Sequence, residues 1–340
     1  MALTQALKFQ SALHDSGRTK GSQILHTEIV HIDTTGDKTG KAATQQLPLA
    51  VSGVDFVGVL DEAVLNGEVD VAVHSLKDIP PACRWNVSGK DNTKLVIGAH
   101  LGPRATPLDV LITKDGSIDS IQTLPHRARV GSASIRRQAQ LKANRSDLNI
   151  INIRGNIDKR LKALENGEID ALILAMAGLE RLGIADDESS IKHEPGSGGG
   201  ENRPYYYHSI PIETMLPGCG QGVIAITCRS DNTEILSLLK EVDDHEARIA
   251  ATTERAFLDT VQILSPWVGR PPVAGFMRPS ETSTWLFSGL LATPDGAKVL
   301  RVQHSLEANC CNVETAQALG RMAGEEVVKM AGDGFLDGYY

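Results

Sequence analysis

Residues 58–76 read GVLDEAVLNGEVDVAVHSL, and residues 159–176 repeat the pattern as KRLKALENGEIDALILAM. In both stretches an amphipathic helix ends at Asn-Gly and is followed by Glu, an aliphatic residue, Asp and an apolar run. Glycine after a helix takes the left-handed conformation that ends it, which fits Asn66-Gly67 and Asn166-Gly167. An apolar run after a helix is typical of a buried parallel strand. The repeat therefore predicts two similar α/β domains that face each other across a cleft.

The sequence changes character after residue 245, where a helical segment precedes three apolar runs and a last helix. The runs PPVAGFM, TWLFSGLLA and KVLRVQHSLE, with the turn TPDG between the last two, predict three strands of a small α+β domain. The expected fold is α/β, with two domains facing a cleft and this third domain. We expect domain 1 at 1–95 and 223–240, domain 2 at 100–217 with an exposed Gly-rich insertion at about 187–209, and domain 3 at 245–340.

Composition excludes several classes of protein. With 340 residues, 41% of them hydrophobic, the chain can bury a sizeable core, and its net charge of -8 argues against a general nucleic-acid or membrane-surface binder. The five cysteines have no CxxC or Cys/His spacing, so we expect neither a disulfide framework nor a metal site. Without a run of about 20 apolar residues or a secretory signal, we expect the cytoplasm, or a plastid or mitochondrion if a leader precedes the chain. We also expect a monomer.

Positive charge in this acidic chain is concentrated, with seven arginines in residues 127–160. The stretch GSASIRRQAQL (131–141) places Arg136 and Arg137 in the first turn of a predicted helix, where the helix dipole disfavours cations. An anion is therefore expected at that place. The alternative for such a run is a solvated helix face.

Three stretches follow predicted strands and open onto the expected cleft. In the first, VDVAVHSLKDIPP, the residues Ser75, Lys77 and Asp78 come directly after a strand. In the second, VGSASIRRQAQL, either Ser132 or Ser134 can cap the helix that begins with the two arginines. The third, IINIRGNIDKRLKAL, contains Arg154, the capping residue Asn156 and Arg160. Guanidinium groups and helix N-termini both bind carboxylates or phosphates, so the ligand should carry several negative charges. For any single arginine the alternative is a surface salt bridge, and for Lys77 and Asp78 it is a solvated pair.

These motifs, together with LILAMAGLERLG, LPGCGQGVIAITCR, DTTGDK (33–38) and TTERAFL (252–258), resemble the porphobilinogen deaminase (hydroxymethylbilane synthase) family. The resemblance covers nearly the whole chain. It implies three domains, the first two resembling periplasmic binding proteins, and a dipyrromethane cofactor without a metal. It also implies condensation of four porphobilinogen molecules, with loss of ammonia, to hydroxymethylbilane in tetrapyrrole and haem synthesis.

The resemblance assigns a role to each candidate residue. Asp78 would be the catalytic carboxylate, which stabilises the cationic pyrrole formed as ammonia leaves and helps to move protons. The substrate and the growing chain carry an acetate and a propionate on every pyrrole. These would be bound by Arg136, Arg137, Arg154, Arg160 and Arg181, with Lys77, Ser75 and Ser132 assisting.

The chain departs from the family pattern in three places. In WVGRPPVAG (267–275), Gly269 stands where the family has the cysteine that binds dipyrromethane, and only Cys219 remains as a substitute. The opening MALTQA matches only the tail of the first family motif, so a strand and an arginine are expected to be missing, and a lysine near Gly53 is also absent. We therefore expect no covalent cofactor and weak or no activity. The alternative is a non-catalytic binder of anionic pyrroles or other polycarboxylates; a periplasmic anion receptor is disfavoured because no signal peptide is seen.

Overall fold

The first sheet has three strands, β1 (Val71–Ser75), β2 (Leu95–Leu101) and β8 (Ile224–Arg229), in the order β1-β8-β2. The structure is a computed structural model that describes residues 1–19, 26–32, 54–81, 94–185, 205–265 and 271–339. Helices α1 (Ala2–Thr19), α2 (Val54–Asn66) and α6 (Thr233–Leu239) pack on this sheet. Phe9 and Leu13 of α1 enter its core beside Ile226, because they lie four residues apart on one helix face.

The second sheet has five strands in the order β5-β4-β6-β3-β7. Strand β4 is parallel to β5 and β6, whereas β3 is antiparallel to β6 and β7. Fully buried aliphatic side chains on both faces of β3 and β6 explain why their sequences are continuous apolar runs. The elements are β3 (Asp109–Thr113), β4 (Arg129–Gly131), α3 (Ile135–Asn144), β5 (Asn149–Ile151), α4 (Ile157–Glu165), β6 (Ala171–Ala175), α5 (Met176–Arg181) and β7 (Tyr206–Ile210).

The third domain consists of α7 (His245–Leu264), the antiparallel strands β9 (Val273–Pro279), β10 (Thr284–Ala292) and β11 (Val299–Glu307), and α8 (Val313–Ala331). Both helices are capped at their first turn: Asp244 accepts from the backbone of Ala247, and Asn312 from that of Thr315. Phe257 of α7 meets Phe287 of β10 edge to face, with ring centroids 5.2 Å apart. The three predicted strands and both helices are confirmed.

The repeated helix endings are also confirmed. Gly67 and Gly167 have φ angles of 75° and 69°, which only glycine adopts freely. In each case the residue two positions beyond the Asn donates back to the helix, Glu68 to the carbonyl of Ala63 and Glu168 to that of Ala163. This bonding satisfies carbonyls that the helix end leaves open.

The prediction of parallel strands after these helices was wrong for β1 and half right for β6. Strand β1 pairs with β8 in antiparallel register, from Val71 with Cys228 to Ser75 with Ile224. Strand β6 is parallel to β4 but antiparallel to β3. The physical reason is that the chain returns from the second sheet as β8 and enters between β1 and β2 in the opposite direction.

The Gly-rich insertion expected at about 187–209 falls partly on residues 186–204, which lie outside the described part of the chain. Its last residues are not an exposed loop, because Tyr206–Ile210 form β7 and the Tyr207 side chain is 3% exposed. Three consecutive tyrosines in YYYHSI, a residue type that favours strands, were the signal for a strand. The domain boundaries proposed from the sequence stay predictions.

A buried ion pair fastens the connection between the two sheets to the third domain. Arg104, on the segment between β2 and β3, donates hydrogen bonds of 2.7 and 3.0 Å to the carboxylate of Glu254 on α7. The same carboxylate accepts from the backbone N–H groups of Gly220 and Met277. Arg104 also donates to the carbonyl of Gln221. Four segments distant in sequence therefore meet at one fully buried carboxylate.

Candidate active site

A single-turn 3₁₀ helix, Leu76–Asp78, follows β1 and presents Lys77 and Asp78 to solvent. Leu76 is buried and anchors the turn, with its N–H donating to the carbonyl of Val223. On the other side, Arg255 of α7 donates to the carbonyls of Ile79 and Pro80 at 3.1 and 2.7 Å. The two exposed charges are thus carried on a turn whose backbone is held from both ends.

Lys77 is solvent-exposed but closely surrounded by protein. Desolvation by these surroundings and the charges of Arg137 and Arg136 lower the pKa of Lys77 to about 8, against the opposing effect of Asp78 and Asp109. The Nζ atom lies 3.5 Å from Oε1 of Gln221. Lys77 therefore loses its charge at a lower pH than an ordinary surface lysine.

Arg136 and Arg137, at the start of α3, both bind the carboxylate of Asp109 at the start of β3. Arg136 donates to Asp109 at 2.6 and 3.2 Å, and Arg137 at 2.8 and 3.0 Å. All three side chains are buried, and the guanidinium groups also reach the carbonyls of Leu216 and Ile173. Burial alone would raise the pKa of Asp109, but the two arginines hold it well below its usual range. The anion expected beside this arginine pair is, in part, supplied by the chain itself.

Gln221 joins this buried group to Lys77. Its side-chain amide donates to the carbonyl of Pro107 at 2.6 Å and to Asp109 at 2.9 Å, while its carbonyl oxygen faces Lys77. Gln221 is 1% exposed and lies on the segment that returns from the second sheet to the first. It therefore couples the arginine pair on one sheet to the exposed turn on the other.

The two candidate serines lie at different depths. Ser132 is buried, and its hydroxyl accepts from the N–H of Ser134 at 3.3 Å. Ser134 is the N-cap residue of α3 by backbone position, but its side chain makes no capping bond. Ser75 is half-buried and accepts a 2.7 Å hydrogen bond from Gln5 of α1. Both hydroxyls are thus engaged inside the protein.

Arg154 and Arg160 flank the start of α4. Arg154 is exposed, and Arg160 is half-buried with its Nε donating to the carbonyl of Gly155. Asn156 caps the helix by accepting from the N–H of Lys159, as predicted. Burial, with the charges of Arg137 and Arg154, lowers the pKa of Arg160, while Asp78 opposes that effect. Arg160 therefore lies within electrostatic range of Arg137 and of Asp78.

Arg181 ends α5 and is 8% exposed. One terminal nitrogen donates to the carbonyl of Gly222 at 2.7 Å, but its Nε has no hydrogen-bond partner among the described residues. Burial lowers the pKa of Arg181, and the charges of Glu180 and Asp78 act against this. A buried hydrogen-bond donor without an acceptor reduces the stability of the fold unless a ligand accepts the bond. Arg181 is therefore a candidate ligand contact.

We call Lys77, Arg136, Arg137, Arg154, Arg160 and Arg181 the cationic cluster. Its cations outnumber the carboxylates within it, Asp78 and Asp109, so a ligand with several carboxylates is favoured. Asp109 already occupies Arg136 and Arg137, which leaves Lys77, Arg154, Arg160 and Arg181 with the greatest free donor capacity. Asp78 is the exposed carboxylate among them and is free to meet a developing positive charge.

Comparison with known proteins places this arrangement in a family. Residues 1–237 match the family model described as porphobilinogen deaminase, dipyromethane cofactor binding domain. The chain is 34% identical over 340 residues to porphobilinogen deaminase of Roseiflexus sp., covering 99% of this chain and 96% of the relative. The chain belongs to the porphobilinogen deaminase family.

Further members of the family come from a bacterium and a plant. Porphobilinogen deaminase of Brevibacillus brevis is 35% identical over 316 residues, 93% of this chain and 84% of the relative. The chloroplastic porphobilinogen deaminase of Pisum sativum is 32% identical over 340 residues, 99% of this chain and 81% of the relative. A solved double mutant of the BvgS VFT2 domain of Bordetella pertussis is similar at 15% identity and a TM-score of 0.37, covering 70% of this chain and 76% of that one.

The cationic cluster fits the carboxylates of the family's dipyrromethane cofactor, because the buried Arg181 keeps an open donor. The described cysteines do not fit a thioether link to it. Cys219 lies in the core of the third domain, where burial, followed by the charge of Glu254, raises the pKa of its thiol far above the usual range. Cys228 is buried, and Cys310 and Cys311 lie in the short connection between β11 and α8 of the third domain. Gly269, expected at the position of the family cysteine, lies outside the described residues.

The described residues also bear on metal binding and on membrane insertion. Within the described ranges, no three His, Cys, Asp or Glu side chains are grouped so that they could hold a metal ion. No helix in that part of the chain combines the length and apolar character needed to cross a membrane.

Sequence reasoning missed Asp109, Gln221 and Arg255. Asp109 stands at the head of the apolar run DVLIT, and a carboxylate beside such a run is a signal for a buried ion pair. Gln221 and Arg255 gave no local signal, because their partners are distant in sequence.

Proposed function

We propose that this chain binds porphobilinogen in the cationic cluster and condenses it head to tail, with loss of ammonia, toward hydroxymethylbilane. The observation that carries the proposal is Asp78, an exposed carboxylate held on an anchored turn and acting electrostatically on Lys77, Arg160 and Arg181. Family membership gives this geometry its substrate class.

The chemistry follows from those charges. Loss of ammonia from the aminomethyl group of porphobilinogen leaves a positive pyrrole species, which a carboxylate at Asp78 stabilises. The α-carbon of the next pyrrole attacks the exocyclic carbon, a C–C bond forms, and the α-proton must leave; Asp78 can accept it. Arg154, Arg160 and Arg181 bind acetate and propionate groups and so orient the two rings. Ser132 assists by accepting from the N–H of Ser134 at the start of the arginine helix, and Ser75 assists by holding the side chain of Gln5.

The test is incubation of the purified chain with porphobilinogen, acid oxidation of the product and measurement of uroporphyrin absorbance. Asp78→Asn is the matched control, since it keeps the shape of the side chain and removes the charge. Product above buffer that Asp78→Asn abolishes supports catalysis. Absorbance equal to buffer for the unaltered chain rejects it.

A second function, non-catalytic binding of anionic pyrroles or other polycarboxylates, is favoured by one observation. Two of the described thiols, Cys219 and Cys228, are buried with raised pKa values, so neither readily supplies a thiolate for a covalent primer. Saturable porphobilinogen binding without ammonia release would select this function over the first.

Intact-mass measurement should show no covalent dipyrromethane. After expression with ample porphobilinogen, we expect the mass of the unmodified chain, because no cysteine lies between Cys228 and Cys310 and Cys219 is buried. The Pisum sativum relative expressed in parallel serves as the comparison. A stable increase of two pyrrole units mapped to any cysteine of this chain would contradict the expectation.

Anion binding should weaken as the pH rises through about 8, the pKa to which desolvation by the surrounding protein and the neighbouring arginines lower Lys77. Lysine is charged below its pKa, so its attraction for carboxylates is present at pH 7 and is lost above pH 8. We expect roughly a tenfold loss of porphobilinogen affinity, the size of one charge-assisted hydrogen bond. Equilibrium dialysis between pH 6.5 and 9.5 measures it.

Two lysine variants complete the pH test. Lys77→Met should bind weakly at every pH without this step, whereas Lys329→Met, at an exposed position on α8, should keep it. The folded pKa lies below the ordinary 10.5, so charged Lys77 destabilises the fold below pH 8, and this cost disappears as the pH rises toward 10.5. A pH step that persists in Lys77→Met would assign it to another group.

We propose a monomer as the working form, in the cytoplasm or in an organelle such as a plastid. Relatives include a chloroplastic plant protein and bacterial proteins, which supports either compartment. Sedimentation velocity tests the assembly state, and a second sedimenting species at working concentration would reject the monomer.

A further inference from the structure

The turn between β10 and β11 lies directly against the arginine helix α3. A Cβ added to Gly296 of this turn would lie 2.3 Å from the carbonyl oxygen of Ala139 and 2.6 Å from the N–H nitrogen of Ala143. These atoms are four residues apart, the spacing of one helical hydrogen bond. Gly296 has a φ of 72°, so the turn needs glycine for both its conformation and its contact. The third domain therefore meets α3 backbone to backbone.

An apolar cluster extends this contact along α3. One face of the third-domain sheet packs on the helix and on the segment that precedes Gly218. The members of the cluster are Ala139, Leu216, Ala274, Phe276, Leu290 and Ala292. All are buried, so the helix cannot shift toward the third domain without overlapping side chains.

The other side of α3 carries the arginine pair. Arg136 and Arg137 extend from its first turn to Asp109, and Gln140 exchanges two hydrogen bonds with the backbone of Leu216. Helix α3 is thus fixed between the third domain and Asp109. A displacement of the helix at Ala139 or Ala143 would be transmitted to guanidinium groups less than two turns away.

The turn itself is held rigidly. Asp295 accepts hydrogen bonds from Thr293 at 2.7 Å, from the N–H of Ala297 at 3.0 Å and from the hydroxyl of Tyr339 at 2.8 Å. The N–H of Gly296 donates to the carbonyl of Thr293. The chain's C-terminal segment therefore braces the turn that rests on α3.

We propose that the turn 293–296 positions the Arg136 and Arg137 pair with its partner Asp109, and through Gln221 the ligand-binding Lys77, with Gly296 as the positioning residue. The third domain thereby sets the affinity of the cationic cluster without touching the ligand. This inference rests on the proposed function for the identity of the ligand, a porphobilinogen-type carboxylate. The contact of the turn with α3 does not depend on that identity.

Two matched glycine variants test the contact. Gly296→Ala and Gly167→Ala both place a methyl group at a φ near 70°, 72° and 69° respectively, but nothing lies within 4 Å of an added Cβ at Gly167. The strain of a positive φ is therefore common to both variants, and only Gly296→Ala presses on α3. Hydrogen exchange of amides 139–145 should accelerate by roughly tenfold in Gly296→Ala and remain unchanged in Gly167→Ala.

Porphobilinogen kinetics provide the second measurement. A displaced arginine pair should raise KM while kcat is retained, whereas a smaller folded fraction would lower kcat at unchanged KM. Asp295→Ala loosens the turn without adding a methyl group at Gly296, so it should also accelerate exchange of amides 139–145 and raise KM. This variant replaces Gly296→Ala in the test if Gly296→Ala does not fold. Unchanged exchange in α3, or a fall in kcat alone, overturns the inference. If the unaltered chain consumes no porphobilinogen, the proposed function fails and the exchange comparison still decides the role of the turn.

Discussion

Asp109→Asn should destabilise the protein by about 3–5 kcal/mol, because it leaves two buried guanidinium groups without their counter-charge. Arg136 and Arg137 are 7% and 6% exposed and share this single carboxylate. Asparagine has nearly the same volume, so no cavity contributes to the loss. Its amide would instead turn a donor toward one of the arginines. Urea unfolding followed by circular dichroism gives the change.

The exposed pair Arg129 and Asp170 provides the matched control. Its side chains are 42% and 40% exposed, so Asp170→Asn should cost less than about 1 kcal/mol. The folded pKa of Asp109 is depressed, so its stabilisation is present above the ordinary value of 3.8 and is lost as the pH falls below it. Asp109→Asn should remove that part of the acid sensitivity. Equal costs for the two variants would mean that the buried pair does not stabilise the fold.

Glu254→Gln should cost a similar amount, about 3–5 kcal/mol, and should also loosen the third domain. The carboxylate of Glu254 accepts four hydrogen bonds, two from Arg104 and one each from the backbones of Gly220 and Met277. A glutamine amide cannot accept all four and leaves Arg104 without its buried partner. We expect an early unfolding transition of the third domain, seen by hydrogen exchange of β9.

Glu326→Gln is the control for this second variant. Glu326 bonds His304 at 2.7 Å on the surface of the same domain, with a side chain that is 46% exposed. Its loss should leave the exchange of β9 unchanged. If both glutamate variants accelerate β9 alike, Glu254 does not fasten the domain.

Local features of the fold were predictable from the sequence because their causes are local. The helix endings at Gly67 and Gly167 depend on one backbone conformation, and the cap at Asn156 on a bond three residues away. The turn carrying Asp78 was found because it directly follows an apolar run. These features need no knowledge of distant residues.

Pairing between distant segments was not predictable from patterns of this kind. Strand β1 lies about 150 residues before β8 in the sequence, and an apolar run reads the same whether its neighbour is parallel or antiparallel. The buried carboxylate of Asp109 likewise binds arginines that the sequence shows only as a charged helix start. The charge of the two arginines alone predicted an external anion. In the structure both arginines are buried and bind Asp109 of the chain itself.

The order β1-β8-β2 of the first sheet has a consequence for synthesis of the chain on the ribosome. Its central strand, Ile224–Arg229, emerges only after every strand of the second sheet has been made. The second sheet is contiguous in the sequence and can assemble as soon as Ile210 is available, whereas β1 and β2 must wait for β8 to join them. The usual order of vectorial folding, N-terminal unit first, is therefore reversed in this protein. The exposed turn with Lys77 and Asp78 acquires its anchors late, because Val223 and Arg255 are made only after the whole second sheet.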